Sequence, residues 1–264
     1  MLLKDKVAVI HGGGGAIGSV VAKAFAHEGA KVYLAGRTLV RVDAVAREIT
    51  NAGGFARAAQ VDALDQRAVN GYIADVVKDA GRVDISFTAI GIPQEGMQGT
   101  ALLEVSTENF MKPIQTYTKS YFITSTAAAR QMVKQRSGVI LVHTPEVSRL
   151  GIAFSEGMAL SWAAMEALTR NLSAELAQFG LRAVTLRSTG LPETPTIDLV
   201  YSQHAKALGI TKEQFQAFLE TMNHIRRSTT LKEVADAAVW AVSDRASSMT
   251  AATLNLTGGT VVDW

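Results

Sequence analysis

Short apolar runs alternate with amphipathic stretches along most of the chain. The runs 7–10 and 32–35 consist of hydrophobic residues, as expected for strands of a parallel sheet that is covered on both faces. The stretches between them carry hydrophobic residues three to four positions apart, which is typical of helices with one face on a sheet. The pattern predicts an α/β fold with a doubly wound parallel sheet of about seven strands.

The alternation also sets the predicted order of the elements. Strands are predicted at 7–10, 32–35, 58–61, 83–88, 139–143, 182–187 and 253–256, and helices at 18–28, 39–52, 65–80, 107–134, 155–179 and 231–243. The segment 192–227 is mostly helical and interrupts the alternation, so we expect an insertion over an edge of the sheet. Neither a repeat nor a linker divides 1–264, which predicts a single domain.

Composition narrows the possible partners. Hydrophobic residues make up 48% of the chain and charged residues 19%, a balance typical of a globular protein. A net charge of +2 without a basic run argues against nucleic-acid binding. Because the chain has no cysteine, disulfides and thiolate metal sites are impossible, and no other pattern predicts a metal site. Apolar runs are too short to span a membrane, and we expect a cytoplasmic protein.

The segment 11–18, His-Gly-Gly-Gly-Gly-Ala-Ile-Gly, lies between the first predicted strand and the first helix. Small residues there allow the backbone to approach a pyrophosphate, and the following helix directs its N–H groups and positive dipole end at it. This context predicts a Rossmann-type dinucleotide site; the alternative is a glycine-rich turn without a ligand. The predicted cofactor contacts in the turn are Gly12, Gly14, Gly15, Ile17 and Gly18.

Two residues beyond the turn bear on which dinucleotide is bound. Arg37 follows the second strand, where an acidic residue would bind the ribose hydroxyls of NAD and a basic one the 2′-phosphate of NADP. The sequence therefore favours NADP(H) over NAD(H), although Arg37 is also typical of a solvated loop. Asp62 ends the third strand, where it could accept a hydrogen bond from adenine or act as a turn residue.

Several segments together resemble the short-chain dehydrogenase/reductase family over nearly the whole chain. The glycine turn resembles its TGxxxGxG motif, and the further matching segments are 61–63, 168–176, 180–182 and 256–259. The resemblance implies a seven-stranded sheet, a nicotinamide cofactor, a small-molecule substrate covered by 192–227, and a homodimer or homotetramer packed through the two long helices. It also places Asp62, Ala63, Ala89 and Gly91 beside the cofactor.

The same resemblance locates the positions of the family's catalytic residues. The Tyr falls on Met158, the Lys four residues later on Trp162, the Ser thirteen residues earlier on Pro145, and the Asn on Tyr117. Methionine offers no proton, and the tryptophan indole N–H is neither a cation nor an acid near neutral pH. Loss of a positioned general acid typically lowers a rate by ~10²–10⁴. The chain is thus predicted to be a divergent member, nominally an oxidoreductase but inactive by the standard mechanism.

Other residues that can transfer a proton leave alternative functions possible. His143 and Tyr117 are the candidate catalytic residues, although a strand-end histidine with satisfied hydrogen bonds and a packing tyrosine are the plainer interpretations. Glu146, Glu156 and Tyr121 are further candidates near the carboxyl edge of the sheet. The alternatives are an active oxidoreductase with relocated acid and base groups, a non-redox lyase or dehydratase with the cofactor site empty or structural, and a silent partner of an active relative.

Overall fold

A computed structural model describes residues 1–262, and its centre is one parallel sheet. The strands are β1 Val7–His11, β2 Lys31–Gly36, β3 Phe55–Gln60, β4 Ile85–Thr88, β5 Gly138–Pro145, β6 Leu181–Ser188 and β7 Ala252–Leu256. Their order across the sheet is β3-β2-β1-β4-β5-β6-β7, and every neighbouring pair is parallel. The doubly wound α/β fold with seven strands is therefore confirmed.

Helices cover both faces of the sheet. They are α1 Ala16–His27, α2 Leu39–Asn51, α3 Gln66–Ala80, α4 Thr107–Gln135, α5 Glu156–Leu176, α6 Pro195–Leu208, α7 Lys212–Met222 and α8 Leu231–Val242. Local chemistry sets several of their starts. The Asp65 carboxylate accepts hydrogen bonds from the backbone N–H groups of Arg67 and Ala68 at the start of α3, which satisfies donors that the helix itself leaves free.

Alternating residues of the central strand divide the core into two layers. Ala8 and Ile10 of β1 pack in the layer that contains α1, α2 and α8, whereas Val7 and Val9 pack in the layer that contains α3, α4 and α5. Side chains on a strand point to opposite faces in turn. A strand covered on both faces buries consecutive side chains, which explains the continuous apolar run at 7–10.

The structure differs from the sequence prediction mainly at element ends. Helix α1 begins at Ala16 rather than 18, because Gly15 already has the extended conformation of a helix cap, with φ −87° and ψ 167°. Strand β3 begins at Phe55 rather than 58, and α5 ends at Leu176, where a short 3₁₀ turn replaces its predicted last residues. None of the helices within residues 1–262 has the length and apolarity to cross a membrane.

The segment 192–227 forms two helices joined by a short turn. Helices α6 and α7 share a small apolar cluster of their own that includes Val200, Tyr201, Ala205 and Phe215. Gly209, in the left-handed conformation, ends α6, and a capping box at Thr211 starts α7. These two helices are thus a distinct unit beside the carboxyl ends of the central strands.

Candidate functional site

The chain reverses its direction across the sheet between β1 and β4, and two adjoining cavities lie at the carboxyl ends of the strands there. Such switch points are where open parallel sheets bind ligands. The first cavity, which we name the glycine cleft, has a volume of about 390 Å³. Its lining includes Gly12, Gly14, Gly15, Gly36, Arg37, Arg41, Asp62, Ala63, Ala89 and Gly91. All of these except Gly36 and Arg41 were predicted from the sequence, so eight of the ten predicted cofactor contacts lie together in the glycine cleft.

The other two predicted contacts, Ile17 and Gly18, occupy different places. Ile17 lines the second cavity. Gly18 is buried, and a Cβ atom there would lie 2.3 Å from the carbonyl oxygen of Gly12. Gly18 therefore lets helix α1 pack against the turn.

The shape of the turn depends most on Gly12. Its φ of +83° is a left-handed conformation that side chains other than glycine rarely adopt. A Cβ atom at Gly12 would also lie 2.3 Å from the carbonyl oxygen of Ala89 at the end of β4. Gly12 thus holds the backbones of two neighbouring strand ends close together, which forms the floor of the glycine cleft.

The cleft carries positive charge from two sources. Gly15, the N-cap residue of α1, lines it, and the first turn of α1 contains no acidic residue that would neutralise the positive end of the helix. Arg37 and Arg41 line the same cleft, and within residues 1–262 neither guanidinium group forms an ion pair. Sequence reasoning missed Arg41, although its place four residues after Arg37 and in the first turn of α2 is a usable signal.

Asp62 and His11 also line the glycine cleft. One Asp62 carboxylate oxygen accepts a hydrogen bond from the backbone N–H of Leu64 at 3.0 Å, so Asp62 shapes its turn while also lining the cleft. His11 is buried against the edge of Tyr72, with ring centroids 6.0 Å apart. Burial lowers the pKa of His11 to about 4, and neither ring nitrogen has a hydrogen-bond partner among the described residues. His11 is therefore neutral at pH 7.

The second cavity, which we name the apolar cavity, has a volume of about 240 Å³ and opens into the glycine cleft. Gly15, Ala89 and Ser120 line both. Its other walls come from separate parts of the chain: α4, the end of β5, α5, and the two helices of the 192–227 segment. Those walls include Tyr117, His143, Pro145, Glu146, Ile152, Trp162, Leu191, Val200, His204, Phe215 and Leu219.

Three of the four positions that the family resemblance assigns to catalysis line this cavity. These are Tyr117, Pro145 and Trp162, and the rings of Tyr117 and Trp162 lie 5.9 Å apart. Met158, the fourth, is fully buried in the core layer beneath them. Where the resemblance expects a phenol and an ammonium group, the structure therefore has a packed thioether and an indole.

The two candidate catalytic residues both line the apolar cavity but are not paired. His143 Nε2 lies 2.9 Å from the Ser188 hydroxyl, and burial lowers the pKa of His143 to about 4. Burial raises the pKa of Tyr117 to about 12, against smaller opposing effects of hydrogen bonds with the Gln94 side chain and the Ile92 backbone. No hydrogen bond joins His143 to Tyr117 within residues 1–262. At neutral pH the imidazole is therefore neutral and the phenol protonated.

Glu146 stands out among the remaining candidates. It lines the cavity with 5% of its surface exposed, and burial raises its pKa to about 7 against hydrogen bonds from the Gly190 backbone and the Thr260 side chain. Glu156 and Tyr121 are not among the cavity-lining residues. The Glu156 carboxylate accepts from the Thr100 backbone N–H at 2.8 Å, and the Tyr121 hydroxyl pairs with Thr169 at 2.8 Å.

Sequence reasoning did not identify three hydrogen-bonded polar residues on one wall of the apolar cavity, namely Gln94, Gln98 and His204. Gln98 donates to the Gln94 side-chain oxygen at 2.7 Å, and His204 Nε2 lies 3.1 Å from the Gln98 side-chain oxygen. Burial lowers the pKa of His204 to about 4, and its ring stacks on Phe215 at 5.2 Å. No local signal marks these residues, because the loop before α4 and helix α6 meet only in the folded chain. Among residues 1–262, no group of three or more His, Asp or Glu side chains is arranged to hold a metal ion.

Comparison with known proteins gives consistent matches over nearly the full length. A family model described as enoyl-(acyl carrier protein) reductase matches residues 14–261. The chain is 32% identical to sorbitol-6-phosphate 2-dehydrogenase of Klebsiella pneumoniae, over 97% of this chain and 96% of that protein. It is 28% identical to 3-oxoacyl-(acyl-carrier-protein) reductase of Chlamydia pneumoniae, over 97% of each protein. Among solved structures, an NAD⁺-bound xylitol dehydrogenase superposes with a TM-score of 0.91 at 22% identity, covering 98% of this chain and all of the other.

Proposed function

Since the chain belongs to the short-chain dehydrogenase/reductase family, whose members bind a nicotinamide dinucleotide, we propose that it is an NADP(H)-binding member without the family's usual catalysis. One observation carries this proposal. An open, cationic glycine cleft adjoins a cavity that is lined by Trp162 at the position of the family's Lys, and the position of the family's Tyr is taken by Met158, buried beneath the cavity. The half of the site that binds the cofactor fits its role, whereas the half that would transfer a proton does not.

The cleft's lining fits the phosphate and adenosine parts of the cofactor. Gly12, Gly14 and Gly15, with the N-terminus of α1, would hold the pyrophosphate. Arg37 and Arg41 would pair with the 2′-phosphate that distinguishes NADP from NAD. The remaining predicted contacts are Asp62 and Ala63 at the adenine, and Ala89, Gly91 and Ile17 along the passage to the apolar cavity. When bound, the cofactor supplies or accepts a hydride.

The residues of the apolar cavity do not support the proton transfer that usually accompanies the hydride. Met158 has no proton to give and is fully buried. Trp162 adds no cation that would lower the pKa of a neighbouring phenol, and Tyr117 keeps its proton because burial raises its pKa to about 12. We therefore propose that the chain is inactive by the standard mechanism and works as a dinucleotide sensor or as the partner of an active relative.

Three further features belong to the same proposal. Helices α6 and α7 contribute a wall of the apolar cavity, which supports the idea that 192–227 covers a small-molecule ligand. Phe122 on α4 and Leu160 on α5 are about half exposed, which supports a homodimer or homotetramer packed through these two long helices. A cytoplasmic location stays a prediction.

A second candidate function is favoured by Glu146. A carboxyl group with a pKa of about 7 can give or take a proton near neutral pH, which is what a relocated general acid or base requires. This observation supports an active oxidoreductase with relocated groups, or a non-redox lyase or dehydratase. The pair His143 and Tyr117 supports it less, since the two are not hydrogen-bonded to each other in the described part of the chain.

Calorimetric titration of the purified chain with NADPH and NADH tests the binding proposal. We expect NADPH to bind at least about tenfold more tightly than NADH, because the 2′-phosphate gains charge-assisted hydrogen bonds. Absence of binding by both dinucleotides would contradict the proposal. A carbonyl panel with deuterium-labelled NADPH tests the second part, and label transfer to any carbonyl at rates typical of this class of enzyme would establish the active alternative.

A further inference from the structure

The apolar cavity differs from the glycine cleft in having no cation. None of the residues that line it is a lysine or an arginine. Its two imidazoles are the half-buried His143 and the buried His204. Loss of solvation lowers the pKa of each to about 4, so both are neutral at pH 7. The buried Arg187 does not line the cavity, and its guanidinium group is paired with Glu166 at 2.8 Å.

The one acidic residue of the lining makes the cavity unfavourable for anions. Glu146 has a carboxylate oxygen, Oε2, that is buried and has no hydrogen-bond partner among residues 1–262. The ionisable groups around it are Tyr201 on α6, which interacts electrostatically with it, Glu220 on α7, which acts on the same tyrosine, and the neutral His143 on β5. None of these groups brings positive charge to Glu146, so an anionic ligand would meet only a neutral or a negative side chain there.

The rest of the lining favours an apolar ligand with few polar atoms. Ile152, Trp162, Leu191, Val200, Phe215 and Leu219 surround the space. Hydroxyl and amide side chains such as Ser120, Thr194 and Gln98 also line it. Among the lining residues, the buried side-chain polar atoms without a hydrogen-bond partner in residues 1–262 are Glu146 Oε2 and His204 Nδ1. Burial of a charged group without a partner is strongly unfavourable.

We infer that the apolar cavity binds an uncharged, mainly apolar molecule with a hydroxyl or carbonyl group, and that it excludes phosphorylated and carboxylate-bearing molecules. The inference rests on the proposed function only in taking this cavity as the ligand site. It sets the chain apart from its relative named for sorbitol 6-phosphate, because a phosphate group would find no cation in the lining.

Matched ligands test the inference directly. The full-length chain is titrated by calorimetry at pH 8 with 1-cyclohexylethanol, cyclohexanecarboxylate and sorbitol 6-phosphate. Its tryptophan emission, compared with that of a Trp162→Phe variant, reports whether they bind beside Trp162. We expect the alcohol to bind and to change the tryptophan emission, and both anions to bind at least about tenfold more weakly. Equal or tighter binding of either anion would overturn the inference, as would failure of the alcohol to bind. A Trp162→Phe variant should lose the emission change.

Two substitutions separate the role of charge from the role of shape. Glu146→Gln keeps the side-chain shape, and it should strengthen carboxylate binding by about tenfold while changing alcohol binding much less. Leu219→Lys adds a cation and should also favour the carboxylate. Glu175→Gln, on an exposed face of α5, is the matched control and should change neither affinity. If both cavity variants leave the preference for the alcohol unaltered, the cavity's charge does not select the ligand.

A parallel NADPH titration keeps this test independent of the proposed function. NADPH binding without alcohol binding would overturn the inference and leave the dinucleotide proposal intact. Alcohol binding without NADPH binding would do the opposite. Thermal melting of each variant confirms that it is folded before its affinities are compared.

Discussion

The glycine cleft and the apolar cavity adjoin each other, but different kinds of groups line them. The cleft is made mostly of backbone, with glycines at strand ends, a helix N-terminus and two arginines that have no ion-pair partner in residues 1–262. The apolar cavity is made of side chains from several separate segments and contains two neutral histidines and one protonatable acid. The first is suited to a polyanion and the second to an uncharged molecule, so the two halves of one site have opposite charge preferences.

This difference also indicates how tightly packing constrains the residues in each half of the site. The backbone of the cleft is fixed by close contacts such as that of Gly12 with the Ala89 carbonyl, and few residues fit there. Trp162 in the wall of the apolar cavity and Met158 beneath it both fill space in or beside the core. Packing constrains the residues of a cavity wall by size, and it constrains their acid–base chemistry much less.

The largest effect is expected for Gly12→Ala. The left-handed φ of +83° and a Cβ atom 2.3 Å from a backbone oxygen should together lower the free energy of unfolding by about 3–5 kcal/mol. Denaturant unfolding measures the loss, and NADPH affinity should fall with it. The control is Gly71→Ala in α3, where a Cβ atom meets nothing within 4 Å and where alanine should stabilise by about 0.5–1 kcal/mol. Equal stability of the two variants would contradict the close-contact explanation of the turn.

The fold and the cleft were accessible from the sequence for the same physical reason. The positions of the strands and helices, the turn at 11–18 and Arg37 depend on residues close together in the chain. The structure has the seven predicted strands in one sheet, and the turn and Arg37 line one cleft. The ends of elements were less accessible, since α1 starts two residues earlier than its glycines suggested.

The properties of the apolar cavity were harder to predict from the sequence, because they arise from burial in the folded chain. Glu146 stands as an ordinary loop carboxylate in the sequence, and only enclosure by α6 and the C-terminal segment raises its pKa to about 7. His204 and Gln98 lie 106 residues apart in the chain, and they meet through tertiary packing alone. Local patterns do not encode such pairs.

The second-largest effect concerns Glu146 and depends on pH. Its pKa is raised from 4.5 to about 7, so the folded chain holds this proton more tightly than the unfolded chain does. The stability that this proton confers is complete below pH 4.5 and is lost as the pH rises through about 7. Glu146→Gln should therefore gain about 2–3 kcal/mol of stability relative to the unsubstituted chain between pH 5 and pH 8.5.

Denaturant unfolding of both chains at the two pH values measures this gain. The histidines with lowered pKa are present in both chains, so their contributions cancel in the comparison. Glu175→Gln, on the exposed face of α5, should show no such dependence. A gain for Glu146→Gln that is the same at pH 5 and pH 8.5 would mean that Glu146 is not a buried acid.

The smallest effect, and the sharpest test of the contrast between the two cavities, is expected for Arg37→Ala. Arg37 is exposed at the end of β2, so its ion pair with a 2′-phosphate is partly screened by water. We expect NADPH affinity to fall about tenfold, or about 1.4 kcal/mol. NADH affinity should stay within about twofold, since NADH lacks the phosphate.

Arg67→Ala on α3, outside the cleft lining, is the matched control. Because Arg37 does not line the apolar cavity, binding of 1-cyclohexylethanol should not change. Equal losses for NADPH and NADH would assign Arg37 to general phosphate binding, and a loss for the alcohol would show that the two cavities are coupled rather than separate in charge.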